Sequence, residues 1–310
     1  MVFLSLAIPT YKRVEHLRAT LPLLEKEVAQ FPDCEIYVSD NASTDGTLGF
    51  LQERASRNPQ VRFGRNASNV GFDANVRLAV QGSRGEFVWT LGDDDHIRPG
   101  ALSRVCASLR KGPDVSLLVI NWLPKADLPR QEKPMPGTEL FAIAGTLLAY
   151  LGSMVVRRKQ WLASFRPEYA ETGFVHLYTA LALMKEGTGL LIADQLVETG
   201  SVQEVDGHWS LGPESLRILY GDVGRALLYA EDSLGFPKRV VRRALRRHLL
   251  GLPRAILSQK AHGRYNSDNL SKLGPVLAAV GAQSVVIRAA AAVPRPMARI
   301  LLALHSIWRK

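Results

Sequence analysis

Three consecutive carboxylates follow an apolar segment near the middle of the first half of the chain. Residues 87–91 predict a buried strand, and Asp93, Asp94 and Asp95 come directly after it. Alternate residues of a strand point to the same face, so Asp93 and Asp95 can converge on one point. Adjacent carboxylates repel one another and need a compensating cation. Mg²⁺ and Mn²⁺ suit this group, because Mg²⁺ is held by one or two carboxylates plus substrate phosphates. The alternative is an acidic turn before a helix that begins at Pro99.

Two earlier apolar segments, residues 4–8 and 35–39, predict strands that also end in polar residues. The residues that follow them are Pro9, Thr10, Tyr11 and Arg13 after the first and Asp40 and Asn41 after the second. Strands and helices alternate along this part of the chain, which predicts an α/β fold with a mostly parallel, Rossmann-like sheet and helices on both faces. Ligands of such sheets bind beyond the carboxyl ends of the strands. These loops therefore predict a cleft for a nucleotide, with Asp40 accepting from a base or ribose.

The usual glycine-rich phosphate loops are absent from the sequence. No Gly-x-Gly-x-x-Gly follows the first predicted strand, and no Gly-x-x-x-x-Gly-Lys-Ser/Thr occurs anywhere. Dinucleotide-binding and P-loop folds are therefore disfavoured. A diphosphate bound in this cleft must be held by a metal ion.

Four segments, taken in order, resemble the successive motifs of family 2 glycosyltransferases with the GT-A fold. They are LSLAIPTYKR at 4–13, YVSDNASTDG at 37–46, NVGFDAN at 69–75 and LGDDD at 91–95. The last form is most similar to the abequosyltransferase-like branch. The resemblance covers residues 3–103. It implies an inverting enzyme of bacterial surface-glycan synthesis that moves a sugar from a nucleotide-diphosphate sugar to a hydroxyl of a lipid-linked or polysaccharide acceptor.

The strand ends and the resemblance together assign a nucleotide-sugar site. Its residues are Pro9, Thr10, Tyr11, Arg13, Asp40, Asn41, Asn69, Asp73, Asp93 and Asp94. By the resemblance, Asp93 and Asp95 match the Asp-x-Asp pair that holds Mn²⁺ or Mg²⁺. The more usual family pattern has an acid where this chain has Gly92, so which two of the three aspartates ligate the metal stays open.

The resemblance also implies a general base, because an inverting transfer must remove the proton of the acceptor hydroxyl. The family places a Glu-Asp pair at the start of a helix that corresponds to residues 173–186, and here Val175 and His176 stand in its place. His176 is the first candidate, since an imidazole titrates near neutral pH, and Glu171 is the second. The alternative is that His176 packs in the core or on the helix surface. A later histidine, His208, is a candidate metal ligand or else a packed loop residue.

The positive charge of the chain is concentrated in its last quarter. Residues 236–310 carry fifteen Lys and Arg and one acid, Asp268, so of the net charge of +10 this segment supplies +14 and the first 235 residues −4. Helical, basic and partly apolar segments here predict helices that lie on an anionic membrane surface. The alternative is helical packing with a solvated basic face. Nucleic acid is not an expected partner, because no recognition motif accompanies the charge.

The expected organisation is a catalytic domain at residues 1–210 and a helical, basic C-terminal region at 211–310. The first residues lack a secretory signal pattern, no apolar run is long enough to span a bilayer, and two distant cysteines suit a reducing compartment. These observations predict a cytoplasmic protein, peripheral on the inner face of the cytoplasmic membrane. Two other functions stay open: a sugar-1-phosphate nucleotidyltransferase, and a non-catalytic, membrane-docked nucleotide-sugar-binding module.

Overall fold

A computed structural model describes residues 1–124, 126–130, 132–199, 212–281 and 283–307. The chain divides into two compact units, Met1–Ser201 and Val202–Lys310. The first unit is an α/β sheet structure, and the described part of the second is helical.

The first unit begins with the alternation of strands and helices that the sequence predicts. Its strands are β1 (Leu4–Thr10), β2 (Cys34–Asp40), β3 (Val61–Arg65), β4 (Phe87–Thr90), β5 (His96–Ile97), β6 (Val115–Asn121), β7 (Met135–Pro136), β8 (Met154–Arg157), β9 (Thr188–Gln195) and β10 (Val197–Glu198). Its helices are α1 (Val14–Val28), α2 (Thr47–Arg57), α3 (Phe72–Gly82), α4 (Ala101–Lys111), α5 (Gly137–Ala144), α6 (Arg158–Ser164) and α7 (Val175–Glu186). Short 3₁₀ segments, Gly145–Ala149 and Leu151–Ser153, precede β8.

The main sheet has the strand order β3-β2-β1-β4-β8-β6-β9-β7. Strands β3, β2, β1 and β4 are mutually parallel neighbours, and β6 is parallel to β9, whereas β8 runs antiparallel between β4 and β6. The predicted mostly parallel α/β fold is confirmed. Because β1, β2, β3 and β4 run in one direction, the loops that follow them meet at the same edge of the sheet.

The first strand and the first helix are held by buried apolar side chains. These lie on both sides of β1 and along one side of α1. Every residue of β1 is buried, as expected for a parallel strand covered on both faces. In α1 the predicted stripe of Leu17, Leu21, Leu24 and Val28 is buried in the core. Burying each such side chain stabilises the fold by about 1.5–3 kcal/mol. Thus β1, which precedes the predicted nucleotide loop, is held rigidly.

The second unit consists of helices within its described residues. They are α8 (Val223–Asp232), α9 (Lys238–His248), α10 (Leu252–Ala261), α11 (Ser267–Ser271), α12 (Gly274–Val280), α13 (Gln283–Ala292) and α14 (Arg295–Ile307). The predicted helical C-terminal region is confirmed. In the part of the chain that the structure describes, no helix combines the length and hydropathy needed to cross a bilayer.

Candidate active site

The ends of β1 and β4 bring a hydroxyl, a guanidinium and two carboxylates together. Thr10 Oγ1 donates a hydrogen bond of 2.8 Å to Asp93 Oδ2. Arg13 Nε lies 2.7 Å from Asp93 Oδ1, and its Nη2 binds Asp94. Both oxygens of Asp93 thus have a partner, and one cation is shared by two carboxylates. Residues that are about eighty positions apart in the chain meet at the sheet edge where the sequence predicts a cleft.

Asp95 is turned into the protein, and two glycines make room for it. The backbone N–H of Gly92 donates to Asp95 Oδ2 at 2.6 Å. A Cβ atom at Gly152 would lie 2.9 Å from Asp95 Oδ2 and also press on the Tyr150 ring. A Cβ atom at Gly92 would lie 3.1 Å from oxygens of both Asp94 and Asp95. An acid at position 92 would therefore crowd the carboxylates, which gives a physical reason for the departure from the usual family pattern.

The positive charge around the buried carboxylates of Asp93 and Asp95 does not compensate their burial. Burial raises the pKa of Asp93 to about 6, although Arg13 and Thr10 act in the opposite direction. Burial raises the pKa of Asp95 to about 7, against the opposing effect of Tyr150. A raised pKa means that the charged form is disfavoured in this environment. Both groups would gain from a cation placed beside them.

This donor set is suited to a divalent cation bound partly by substrate. Among the described residues, no three His, Cys, Asp or Glu side chains converge as a complete metal cage. Mg²⁺ does not need such a cage, because one or two carboxylates plus substrate phosphates hold it. Buried carboxyl oxygens with raised pKa values fit this chemistry. The third predicted ligand, His208, lies outside the described residues.

Asp40 is fully buried at the end of β2. Its Oδ1 accepts from the Ser43 N–H at 3.0 Å, and Arg65 Nη1 lies 3.7 Å from its Oδ2. Among the described residues Oδ2 has no hydrogen-bond donor. A buried oxygen without a donor costs about 1–3 kcal/mol. Asp40 therefore retains a buried acceptor oxygen without a donor.

The two predicted asparagines hold a loop in place. Asn41 Nδ2 donates to Asn69 Oδ1 at 2.8 Å, and Asn41 Oδ1 accepts from the Val70 N–H at 2.9 Å. Asn66 and Asn75, which the sequence analysis did not single out, complete this network. It ties the loop at 66–71 to the end of β2. The signal in the sequence was the repetition of asparagine after strand ends, since an amide donates and accepts at once.

Asp73 is bound to the start of α7. Its two carboxylate oxygens accept from the N–H groups of Gly173 at 2.7 Å and Val175 at 3.0 Å. Burial raises the pKa of Asp73, and these backbone bonds lower it. Phe174, the residue before α7, has no side-chain cap of its own, so Asp73 supplies an acceptor from α3. Sequence reasoning, which assigned Asp73 to the nucleotide-sugar site, missed this positioning role.

The two candidate bases lie in different environments. His176 is 3% exposed. Its ring packs against Phe174 and Phe72, its Nε2 lies 3.5 Å from the Ala149 carbonyl oxygen, and burial lowers its pKa to about 4. Glu171 is exposed in the loop before α7, with a φ of 65°. That loop touches the start of α3 through the Asp73 contacts.

The remaining predicted nucleotide contacts differ in exposure. Pro9 is buried within β1. Tyr11 is 37% exposed, and the Lys12 ammonium lies 5.3 Å from the centre of its ring. An exposed aromatic ring on a loop at the sheet edge is available to a flat ligand.

Comparison with solved structures identifies the fold. TarS from S. aureus, residues 1–349 in complex with UDP-GlcNAc, has a TM-score of 0.61 and 18% identity, and the match covers 92% of this chain and 84% of that one. The mannosyltransferase PcManGT from Pyrobaculum calidifontis, in complex with GDP-Man and Mn²⁺, has a TM-score of 0.61 and 17% identity and covers 98% and 79%. The predicted GT-A fold is confirmed.

Comparison with known sequences identifies the family. Abequosyltransferase RfbV of Salmonella typhimurium is 28% identical over 204 residues, which is 59% of this chain and 61% of that protein. A GalNAc(5)-diNAcBac-PP-undecaprenol beta-1,3-glucosyltransferase of Campylobacter jejuni is 30% identical over 110 residues, 35% of each chain. The match thus spans about three fifths of the first relative and a third of the second. The predicted resemblance to the abequosyltransferase-like branch is confirmed. The model of Glycosyl transferase family 2 matches residues 5–165, and the chain belongs to that family.

Proposed function

We propose that the protein is an inverting glycosyltransferase of bacterial surface-glycan synthesis. It moves a sugar from a nucleotide-diphosphate sugar to a hydroxyl of a lipid-linked or polysaccharide acceptor. The observation that carries this proposal is the cluster of Thr10, Arg13, Asp93 and Asp94 at the sheet edge, within the region that matches the family. The names of the relatives, which include an abequosyltransferase and an undecaprenol-linked glucosyltransferase, support the acceptor class.

The proposed donor site runs from Asp40 to the three aspartates. Asp40 Oδ2, which has no hydrogen-bond donor among the described residues, is the proposed acceptor for the base or ribose. Thr10 and Arg13 fix the orientation of Asp93. Asp93 and Asp95 are the proposed ligands of Mn²⁺ or Mg²⁺, with His208 as a further proposed ligand. A divalent cation bound there would stabilise the negative charge that develops on the leaving diphosphate. The half-buried Asp94 remains bound to Arg13, which limits the repulsion among the carboxylates.

Glu171 is the proposed general base. Its exposure and its place before α7 support this role, whereas His176 is enclosed by two aromatic rings and its lowered pKa makes it a weak acceptor of protons. A base must come within hydrogen-bond reach of the acceptor hydroxyl. The contact of Asp73 with the residues on either side of Phe174 fixes the loop that carries Glu171.

The described C-terminal helices support a peripheral position on an anionic membrane. Five large apolar side chains are exposed on α13 and α14: Val285, Val286, Met297, Ile300 and Leu301. Exposed apolar side chains that adjoin cations are typical of helices lying in a membrane interface. The exposed cations of α9 are Lys238, Arg239, Arg243, Arg246 and Arg247. We propose that the exposed apolar side chains of α13 and α14, together with the cations of α9, hold the enzyme on the inner face of the cytoplasmic membrane, where a lipid-linked acceptor is presented.

A panel of nucleotide sugars tests the proposed reaction. UDP-, GDP-, CDP- and dTDP-sugars are added with and without Mn²⁺, and the melting temperature is measured. One donor class should raise the melting temperature by several degrees with Mn²⁺, because a ligand bound only to the folded state stabilises it. If none of the donors stabilises the protein with either Mn²⁺ or Mg²⁺, the proposed reaction is rejected.

Vesicle sedimentation tests the proposed membrane surface. The protein should sediment with vesicles that contain phosphatidylglycerol and remain in solution with pure phosphatidylcholine, because the cations need anionic headgroups. The double variant Met297→Ser, Ile300→Ser should bind weakly. The matched control is Leu23→Ser, which removes an exposed leucine of α1. Equal binding by the double variant and wild type would exclude α14 from the membrane surface.

A further inference from the structure

Among the described residues of the second unit, some arginines form ion pairs and others do not. Arg217, Arg225 and Arg242 bind the carboxylates of Glu214, Asp222 and Glu231. Arg295 and Arg299 of α14 take part in none of the ion pairs found among the described residues. Two guanidiniums on one helix without a carboxylate leave a local excess of positive charge.

These two arginines line the same cavity. It has a volume of about 460 Å³ and is lined by Ala261, His262, Arg295, Arg299 and Leu302. Helices α10 and α14 pack together, and the cavity lies where α10 ends and α14 begins. Residues 295, 299 and 302 are spaced by four and three positions, so they share one face of α14. Among the residues that the structure describes, no acid contributes to this lining.

A hydrogen bond to the backbone holds Arg299 in position, and Arg295 lies beside a glycine. Arg299 Nε donates to the Ala261 carbonyl oxygen at 3.1 Å. The guanidinium of Arg295 lies against Gly263, whose φ is 73° and where a Cβ atom would come within 2.8 Å of Nη2. Gly263 thus permits both the turn and the close approach of Arg295. A cationic site whose side chains are already placed loses less entropy when a ligand binds.

The start of α14 lies beside the cavity. Arg295 is the first residue of this 13-residue helix, and the N-terminus of a helix carries a partial positive charge that favours phosphate. The neighbouring cation Lys260 is engaged elsewhere, since its Nζ donates to the Val293 carbonyl oxygen and lies over the Tyr265 ring. Among the described residues, the positive charge in the cavity therefore comes from the two arginines.

We infer that this cavity binds a phosphate ester, with Arg295 and Arg299 on the phosphoryl oxygens. Arginine presents a planar set of donors that matches phosphate, and such charge-assisted hydrogen bonds are strong. The volume exceeds what a bare phosphate fills, and Leu302 and Ala261 provide an apolar wall for the organic part.

The cavity is separate from the proposed membrane surface. Met297, Ile300 and Leu301 occupy the side of α14 opposite to that of Arg295 and Arg299, by the period of the helix. A phosphate ester in the cavity and a bilayer on the apolar side can therefore be bound independently. Binding of a phosphate ester in this cavity does not depend on the proposed sugar transfer.

Calorimetric titration of the full chain tests the inference. Glycerol 3-phosphate is the probe for a free phosphate ester, glycerol is the uncharged control, and dihexanoyl phosphatidylglycerol below its micelle concentration is the probe for a lipid headgroup. We expect at least one of the two phosphate esters to bind and glycerol not to bind. Arg295→Gln and Arg299→Gln should each weaken binding about tenfold or more, because each removes charge-assisted hydrogen bonds. Arg288→Gln, an exposed arginine of α13 outside the cavity, is the matched control and should leave the affinity unchanged.

The pattern of binding shows whether the ligand is a free phosphate ester or a lipid headgroup, and it can also contradict the inference. Binding of glycerol 3-phosphate identifies a small phosphorylated molecule, and binding of the short-chain lipid alone identifies a headgroup. Either result supports the site if the two cavity variants lose it and Arg288→Gln keeps it. Absence of binding, or equal affinity in the double variant Arg295→Gln, Arg299→Gln and in Arg288→Gln, overturns it. Melting curves verify that each variant is folded. No turnover is measured, so this outcome is independent of the transferase proposal.

Discussion

The sheet edge of the first unit and the cavity of α14 carry opposite charge imbalances. At the sheet edge, Asp93 and Asp94 share the single guanidinium of Arg13, and no ion pair reaches Asp95 among the described residues. In the cavity, Arg295 and Arg299 have no carboxylate partner among the described residues. Burial makes the first imbalance strong, because desolvation shifts the pKa values of Asp93 and Asp95, whereas water screens the exposed arginines of the second. The comparison shows that the sign of the uncompensated charge at a site predicts the opposite charge on its ligand. The degree of burial predicts how strongly the ligand stabilises the site.

The largest expected effect concerns the general base that would act beside Asp93, Asp94 and Asp95. Glu171→Gln should lower kcat about 10²- to 10⁴-fold while donor affinity is unchanged, because general-base catalysis contributes that much. His176→Ala should mainly lower stability, since it removes a buried ring. Steady-state kinetics with the donor identified by the panel would measure both. A large loss of kcat in His176→Ala with wild-type rates in Glu171→Gln would return the role to His176.

The next effect concerns the cap that holds the loop of Glu171. Asp73→Ala should lower the free energy of unfolding by about 2 kcal/mol, because it leaves two N–H groups at the start of α7 without an acceptor. Asp73→Asn retains one acceptor oxygen and should lose less. Urea denaturation measures the difference. Equal stability of Asp73→Ala and wild type would show that the cap contributes nothing to the position of α7.

A smaller effect concerns the affinity of the three aspartates for Mn²⁺. Arg13→Gln removes the cation shared by Asp93 and Asp94, so Mn²⁺ should bind several-fold more tightly to the variant. Arg65→Gln is the matched control, because Arg65 lies beside Asp40 rather than the three aspartates. Titration of Mn²⁺ followed by electron paramagnetic resonance measures the free ion. Weaker Mn²⁺ binding in Arg13→Gln would mean that Arg13 shapes the metal site rather than competing with the metal.

The smallest effect is a dependence on pH. Asp93 and Asp95 have pKa values of about 6 and 7 in the folded protein, against about 4 in an unfolded chain. The folded state therefore binds more protons, and the stability from these groups is present below about pH 4 and is lost as pH rises through 6 and 7. Since Mn²⁺ replaces these protons, it should raise the melting temperature more at pH 8 than at pH 5. An equal rise at both values would contradict the assignment.

The fold was predictable because its signals are local, whereas several side-chain roles depend on distant contacts. Apolar segments followed by polar loops predicted β1, β2 and β4 and the edge where they end. That Asp73 caps α7 could not be predicted, because its partners lie about a hundred residues away. The enclosure of His176 by Phe72 and Phe174 has the same origin. The Arg295 and Arg299 cavity depends on how α10 and α14 pack, which charge counting does not show.

The most direct measurement of the central claim is donor cleavage by wild type and Asp95→Asn. Release of nucleoside diphosphate from UDP-, GDP-, CDP- and dTDP-sugars is followed with Mn²⁺ present, and circular dichroism verifies the fold of the variant. The account predicts release from one donor class by wild type and a rate at least about 100-fold lower in Asp95→Asn, because the proposed metal ligand is lost. Equal rates in the two proteins, or no release from any donor, would contradict the claim that this acidic edge is a metal-dependent sugar-transfer site.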